Sequence, residues 1–256
     1  MKSITKEEIV EYVEKNIHVF HERRLEKLKR LKLKDILKRK NPYLFKAKNI
    51  NTAGEFIENI LNAFLSSQEE GLFGGFLEGL AIFICSYIYG GRKSSTEGID
   101  LVFEKDSVKY IISIKSGPNW GNNSQIKKMK DYFRKAKKIL RTNTPSGFNV
   151  IAVNGCCYGK DNSPDKGEYL KLCGQEFWSF ISGNESLYTD IIEPLGHKSK
   201  EKNEQFIEEY SKVINKFSFD FMKMFCDTEG KILWSEVVMF ISKKQAKKVR
   251  KRIRKS

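Results

Sequence analysis

Three side chains in the run TEGIDLVFEKDSVKYIISIK, which begins at Thr96, can do chemistry together: Asp100, Ser113 and Lys115. Two β-type stretches, Gly98–Phe103 and Val108–Lys115, flank Glu104-Lys105-Asp106-Ser107, which reads as a hairpin turn. Side chains alternate along a strand. With an even-numbered turn, Asp100 is expected opposite Ile111, and Asp100, Ser113 and Lys115 then share one face. Ile99, Leu101, Phe103, Ile112 and Ile114 take the other face and are free to build core. Phosphodiester hydrolysis would use such an acid and lysine. Asp100 would ligate a divalent cation that polarises the scissile phosphate, with the backbone carbonyl of Ile114 facing the same ion. Lys115 would stabilise the charge that develops on the phosphoryl oxygens. Hard oxygen ligands select magnesium over softer metals. A hairpin with one solvated face also carries an acid and a lysine at this spacing, so the pattern alone leaves a purely structural reading open.

The surrounding chain must hold that hairpin. Lys6–Lys40 reads as helical, with Ile9, Val10, Val13, Ile17, Phe20, Leu25, Leu28 and Leu31 as a broken apolar stripe, and Asn41-Pro42 is expected to end it. A second helix is expected over Thr52–Ser66, capped by Thr52, with Phe56, Ile57, Ile60, Leu61 and Phe64 on one face. After a turn at Gly71, an apolar helix over Leu72–Tyr89 carries Glu78 and stops at Gly90-Gly91. Downstream of the hairpin come a Gly/Asn-rich loop (Ser116–Asn123) and a basic amphipathic helix to about Arg141. A buried strand at Phe148–Val153, a short helix at Glu176–Ser182 and a long one at Glu201–Phe225 complete the pattern. This order predicts an α/β fold, a central mixed sheet flanked by helices with helical N- and C-terminal extensions. One domain over residues 1–256 is expected, with basic helical regions at 1–66 and 197–256 around a core at 67–196.

Composition narrows the partner. Lys and Arg number 47 against 32 Asp and Glu, a formal net charge of +15. That excess suits a polyanion, nucleic acid ahead of an anionic membrane, although lysine-rich genomes also produce basic proteins. The start MKSITKEEIVEYVEK is charged throughout and does not read as a signal peptide. Glu78 inside Leu72–Tyr89 favours a buried helix over a membrane span. Cys85, Cys156, Cys157, Cys173 and Cys226 read as reduced thiols of a cytoplasmic protein, and His18, His21 and His197 lack the spacing to complete a zinc knuckle. Trp178 and Trp234 read as core.

Ser116, Asn119, Trp120, Asn122, Asn123 and Gln125 follow Lys115 directly and are assigned to DNA contact, through phosphates or by placing the metal site. Gly/Asn-rich loops also serve tight turns. Lys127 and Lys128, with Lys130, Arg134, Lys135, Lys137 and Lys138, decorate the next helix and suit a DNA backbone. The tail SKKQAKKVRKRIRKS is read as a nonspecific phosphate-binding arm.

Gly98-Ile99-Asp100 followed by Ser113-Ile114-Lys115 resembles the signature of the PD-(D/E)XK nuclease superfamily, an acid on one strand and acid-x-lysine on the next. Glu78 occupies the place where many such nucleases carry an additional acid on the preceding helix. KSGPNWGNNSQ (Lys115–Gln125) is similar to a segment of restriction endonucleases that cut G/C-rich sites of the GGNCC kind. NGCCYGKD (Asn154–Asp161) and CGQEFWSFISG (Cys173–Gly183) resemble the same group, so the likeness spans roughly Gly71 to Gly196. It implies a type II restriction endonuclease that cleaves double-stranded DNA with magnesium, leaves 5′-phosphates and acts as a homodimer. A companion DNA methyltransferase in a prokaryotic cytoplasm is implied too. Asp100, Ser113, Lys115 and Glu78 would be catalytic; Asp100, Glu78 and the Ile114 carbonyl would hold the metal. One departure stands out: Ser113 occupies the position of the motif's second acid. Glu78, Glu97 and Asp131 are the candidate substitutes, Glu78 first. Two alternatives remain: a structure-selective repair or junction nuclease, and a noncatalytic DNA-binding protein on a decayed nuclease scaffold, the latter suggested by Ser113.

Overall fold

The computed structural model describes residues 4–142 and 149–244. Phe148 and the basic tail beyond Lys244 lie outside the described residues. Helices α1 (Lys6–Lys29), α2 (Leu33–Leu37), α3 (Pro42–Ala47) and α4 (Ala53–Tyr89) precede the sheet. Strands β1 (Arg92–Lys93), β2 (Leu101–Lys105) and β3 (Val108–Lys115) are followed by α5 (Asn123–Thr142), β4 (Asn149–Cys156) and β5 (Leu170–Cys173). Helices α6 (Gln175–Ser182), α7 (Leu187–Asp190), α8 (Ile192–Leu195), α9 (Ser199–Phe225) and α10 (Trp234–Ser242) close the described chain. The sheet order is β1-β2-β3-β4-β5. Its first pairs are antiparallel, while β3-β4 and β4-β5 are parallel. It is the mixed, helix-flanked α/β sheet that the sequence predicts.

The chain forms two compact units, one from residues up to 25 together with 67–205, the other from 26–66 and the residues from 206 onward. The first contains the sheet. On one sheet face Leu101, Phe103, Ile112, Ile114 and Val153 pack with Ile9, Val13 and Ile17 of α1, Leu80 and Ile84 of α4, and Phe177 and Trp178 of α6. On the other, Ile111, Val150 and Ala152 pack with Met129, Phe133 and Ala136 of α5. Both faces are therefore apolar, as a sheet with parallel strands requires. The second unit has its own core, in which Phe56, Ile57, Ile60 and Leu61 meet Phe217, Phe221 and Val237.

Several local expectations are corrected. Gly71 does not break the chain: α4 runs unbroken over 37 residues. An exposed glycine costs a helix only about 1 kcal/mol, which the burial of Leu77, Leu80 and Ile84 on the same helix offsets. Asn41-Pro42 starts a helix instead of ending one; the Asn41 side chain accepts the Tyr43 N–H at 3.0 Å, and Pro42 occupies the first turn, where its missing N–H costs nothing. The expected Thr52 cap is present, accepting from the Glu55 N–H at 3.3 Å. Helix α4 is long and apolar enough to cross a membrane by length and composition. Its row Leu77, Leu80, Ala81, Ile84 and Cys85 lies instead in the core of the first unit.

The hairpin carries the correction that matters most. Its turn has two residues, Asp106 and Ser107, both with positive φ (52° and 59°). That is the pattern of a type I′ turn, whose twist matches the flanking strands. Leu101 pairs with Ile112 and Val102 with Ile111. The next step of the same register sets Asp100 against Ser113, two residues from the expected Ile111. The parity is unchanged, so Asp100, Ser113 and Lys115 still share a side. Ile99 changes side: it packs with Ile111, Met129 and Phe133, because the backbone turns at Gly98 (φ +77°) just before the strand.

Candidate functional site

The Asp100 carboxylate is the hub of the site. Its Oδ2 accepts the backbone N–H of Ile114 at 2.7 Å and the Ser113 hydroxyl at 3.5 Å, and the Lys115 ammonium stands 3.9 Å away. Lys115 also donates to the carbonyl of Ile114 at 3.0 Å and lies over the Trp120 ring, 5.3 Å from its centroid. Asp100 and Lys115 keep 24% and 30% of their side chains exposed, so the pair is partly open to solvent. Burial holds the Asp100 carboxyl above the usual carboxylate range. The Ile114 N–H and Lys115 pull it back down, and the negative charge of Glu78 pushes it up.

Of the three candidate substitutes for the missing acid, Glu78 is the one whose charge registers at Asp100. It is half-buried on α4, with Lys93 of β1 at 3.3 Å. Glu97 accepts from the Tyr132 hydroxyl at 2.6 Å, and Asp131 pairs with Arg134 at 2.9 Å. Among the described residues, no group of three or more His, Cys, Asp or Glu side chains converges to hold a metal. Asp100, Glu78 and the Ile114 carbonyl each offer a hard oxygen donor. Magnesium retains several waters and takes one or two protein carboxylates, so these residues fit it.

The other predicted residues divide by what holds them. Asn122 Oδ1 accepts from the Ser124 hydroxyl at 2.7 Å and the Gln125 N–H at 3.1 Å, and Gln125 Oε1 accepts the Asn122 N–H at 2.9 Å. The two residues form a reciprocal capping box on α5. Asn119, Asn123, Lys127 and Lys128 are exposed. Lys128 sits over the ring of Tyr132. On the same helix Arg134 and Lys130 pair with Glu168, so part of the basic row is already neutralised.

Three sequence runs singled out above meet at the carboxyl ends of β3, β4 and β5, where ligand sites of open α/β sheets form. The Tyr158 N–H donates to the Ser116 carbonyl at 3.1 Å. A Cβ on Gly117 would lie 2.3 Å from the Tyr158 ring, and one on Gly159 would lie 2.6 Å from Pro118. These glycines let the loops close on one another beside Lys115. A cleft of about 530 Å³ opens along them, lined in part by Tyr158, Lys160 and Gln175.

Asn154 was not singled out from the sequence, yet it is the most buried polar side chain of the sheet, 1% exposed. It donates to the Ser113 carbonyl at 3.1 Å and accepts the Trp120 indole N–H at 3.0 Å. A lone amide closing the otherwise apolar strand VIAV is the signal that marks it. The thiols stay out of the chemistry. All five cysteines are unpaired, and burial pushes Cys85 and Cys157 up to about 12. His18, His21 and His197 line a common cavity, where His197 Nδ1 lies 3.0 Å from Glu14.

Residues 7–203 match the family model described as Type II restriction endonuclease EcoO109I. No curated protein matches the chain. The matched span holds every residue of the site, from Glu78 on α4 to the loops at the ends of the parallel strands.

Proposed function

The chain belongs to the type II restriction endonuclease EcoO109I family, and we propose that it cuts both strands of DNA at a specific sequence with magnesium, leaving 5′-phosphates. The observation that carries this reading is the group of Asp100, Ser113, Ile114 and Lys115 around one carboxylate, within reach of the charge of Glu78. Asp100, Glu78 and the Ile114 carbonyl would hold the cation. When bound, magnesium supplies a Lewis acid for the scissile phosphate and lowers the pKa of a bound water.

The residues themselves do the rest. The Ile114 N–H fixes one oxygen of the Asp100 carboxylate. The Lys115 ammonium is placed to neutralise charge on the phosphoryl oxygens as it develops. Glu78 supplies the second carboxylate that Ser113 lacks. Lys127 and Lys128, exposed at the start of α5, would position the DNA backbone, as would Asn119 and Asn123.

The likeness of Lys115–Gln125 to enzymes that cut sites of the GGNCC kind supports a G/C-rich target with an unspecified central base. A palindromic target mirrors a two-fold protein axis, so the working form is a homodimer. A companion DNA methyltransferase would protect the same sites in a prokaryotic cytoplasm. Sequencing the ends of fragments produced from unmethylated DNA tests the proposal. One repeated sequence at every cut, with ends that ligate without phosphorylation, supports it. Cuts that follow junctions or mismatches instead would favour a structure-selective nuclease.

A further inference from the structure

Lys115 is a flexible, four-carbon side chain, and a catalytic ammonium has to be held where charge will develop. Its near contacts are the Asp100 carboxylate at 3.9 Å, its own strand's Ile114 carbonyl at 3.0 Å, and the face of Trp120 at 5.3 Å. The carboxylate and carbonyl are the groups proposed to turn to a cation, so neither can hold the lysine throughout. The indole face can. An ammonium over an aromatic ring is attracted by its quadrupole, more strongly as water is excluded.

The ring is itself anchored. Trp120 comes from the Gly/Asn-rich loop and packs against the edge of the core between the sheet and α5. Its indole N–H donates to the Asn154 side chain at 3.0 Å. Asn154 is fully buried and uses its other end to donate to the carbonyl of Ser113, the residue paired with it across β3 and β4. A polar amide in the middle of an apolar sheet costs stability unless both its ends are satisfied. Here one end grips the catalytic strand and the other grips the ring under the catalytic lysine.

We propose that Trp120 is a positioning residue that holds the Lys115 ammonium on its ring face, and that Asn154 is the buried bracket that locks Trp120 to the catalytic strand. The inference rests on the nuclease reading above. It also moves Trp120 away from DNA contact: the indole N–H that would reach a phosphate is bound inside the protein.

The test combines DNA binding in calcium, cleavage of bound DNA in magnesium at excess enzyme, and an NMR spectrum of the indole N–H groups. Trp120→Leu should slow cleavage on the order of ten-fold while DNA affinity changes less than about two-fold. Trp120→Phe keeps a ring without the donor and should fall between Leu and the native protein. In a Lys115→Ala background, where slow residual cuts are followed over long incubation at excess enzyme, Trp120→Leu should cost almost nothing further, since residues acting through one another are not additive. The Trp120 indole proton should be protected from exchange in the native protein and lose protection in Asn154→Ala. Should that variant unfold, the native indole proton still reads out the bracket. Weakened DNA binding matching the loss of rate would overturn the proposal in favour of a DNA contact. Equal losses in both lysine backgrounds, or an indole proton that exchanges as freely as in an unfolded chain, would overturn it as well. The last result stands apart from cleavage, so an inactive native protein would sink the nuclease reading while this inference is still judged.

Discussion

The backbone N–H of Ile114 donates to the Asp100 carboxylate at 2.7 Å, tying the end of one strand of the hairpin to the acid that precedes the other. This bond places the acid beside the carbonyl and lysine that follow it, and it follows from the two-residue turn at Asp106-Ser107. A turn longer by two residues would leave Asp100 opposite Ile111, out of reach.

The site distinguishes two candidates for the second carboxylate position. The Ser113 hydroxyl stands 3.5 Å from Asp100, at the limit of a hydrogen bond, whereas the charge of Glu78 registers there. Glu78→Gln should lower the cleavage rate on the order of a hundred-fold if Glu78 is the second metal carboxylate. Ser113→Ala should lower it only a few-fold. Single-turnover cleavage rates check the order; a larger effect at Ser113 would remove Glu78 from the role.

Asn122 and Gln125 cap α5, so their loss should appear first as lost stability. Asn122→Ala should destabilise the protein by about 1 kcal/mol in denaturant unfolding. DNA affinity at fixed salt should change little. A large loss of affinity without loss of stability would return these residues to the DNA interface.

The hairpin turn offers a stabilising change. Ser107 adopts φ +59°, a region that costs a residue with a Cβ about 1 kcal/mol or more. Ser107→Gly should raise the denaturation midpoint and leave cleavage unaltered. A slower enzyme would mean that the turn residue itself touches DNA.

With a net charge of +15, binding should weaken steeply as salt rises. Lys127→Ala and Lys128→Ala should each reduce the slope of log affinity against log salt by about 0.9 if the native side chain neutralises one phosphate. An unchanged slope would assign both lysines to the solvated face of α5.

The sequence was most legible where one pattern governed a whole element. Strand β3 occupies Val108–Lys115 as predicted, because its apolar run is bounded by a turn and by a Gly-rich loop. Alternation placed Asp100, Ser113 and Lys115 on one side for the same reason. The register escaped because parity constrains only whether a turn is even, and both a two- and a four-residue turn satisfy it. Strands β1 and β5, of two and four residues, are too short to carry a period of their own. Gly71 and Asn41-Pro42 carry signals that read either way: burial of the rest of α4 outweighs the glycine, and the Asn41 cap with proline in the first turn starts α3. The bracket of Asn154 and Trp120 joins residues 34 apart in sequence, a contact that the parallel pairing of β3 with β4 creates and no local pattern announces.

The central claim is that the centre around Asp100 and Lys115 cleaves DNA at a specific sequence. Incubating unmethylated phage DNA with the native protein, with and without magnesium, beside a Lys115→Ala variant, tests it most directly. Discrete fragments that require magnesium and disappear in the variant are the predicted result. Intact DNA in every lane, with binding retained on a gel, would contradict it and identify Ser113 as the mark of a scaffold that binds DNA without cutting it.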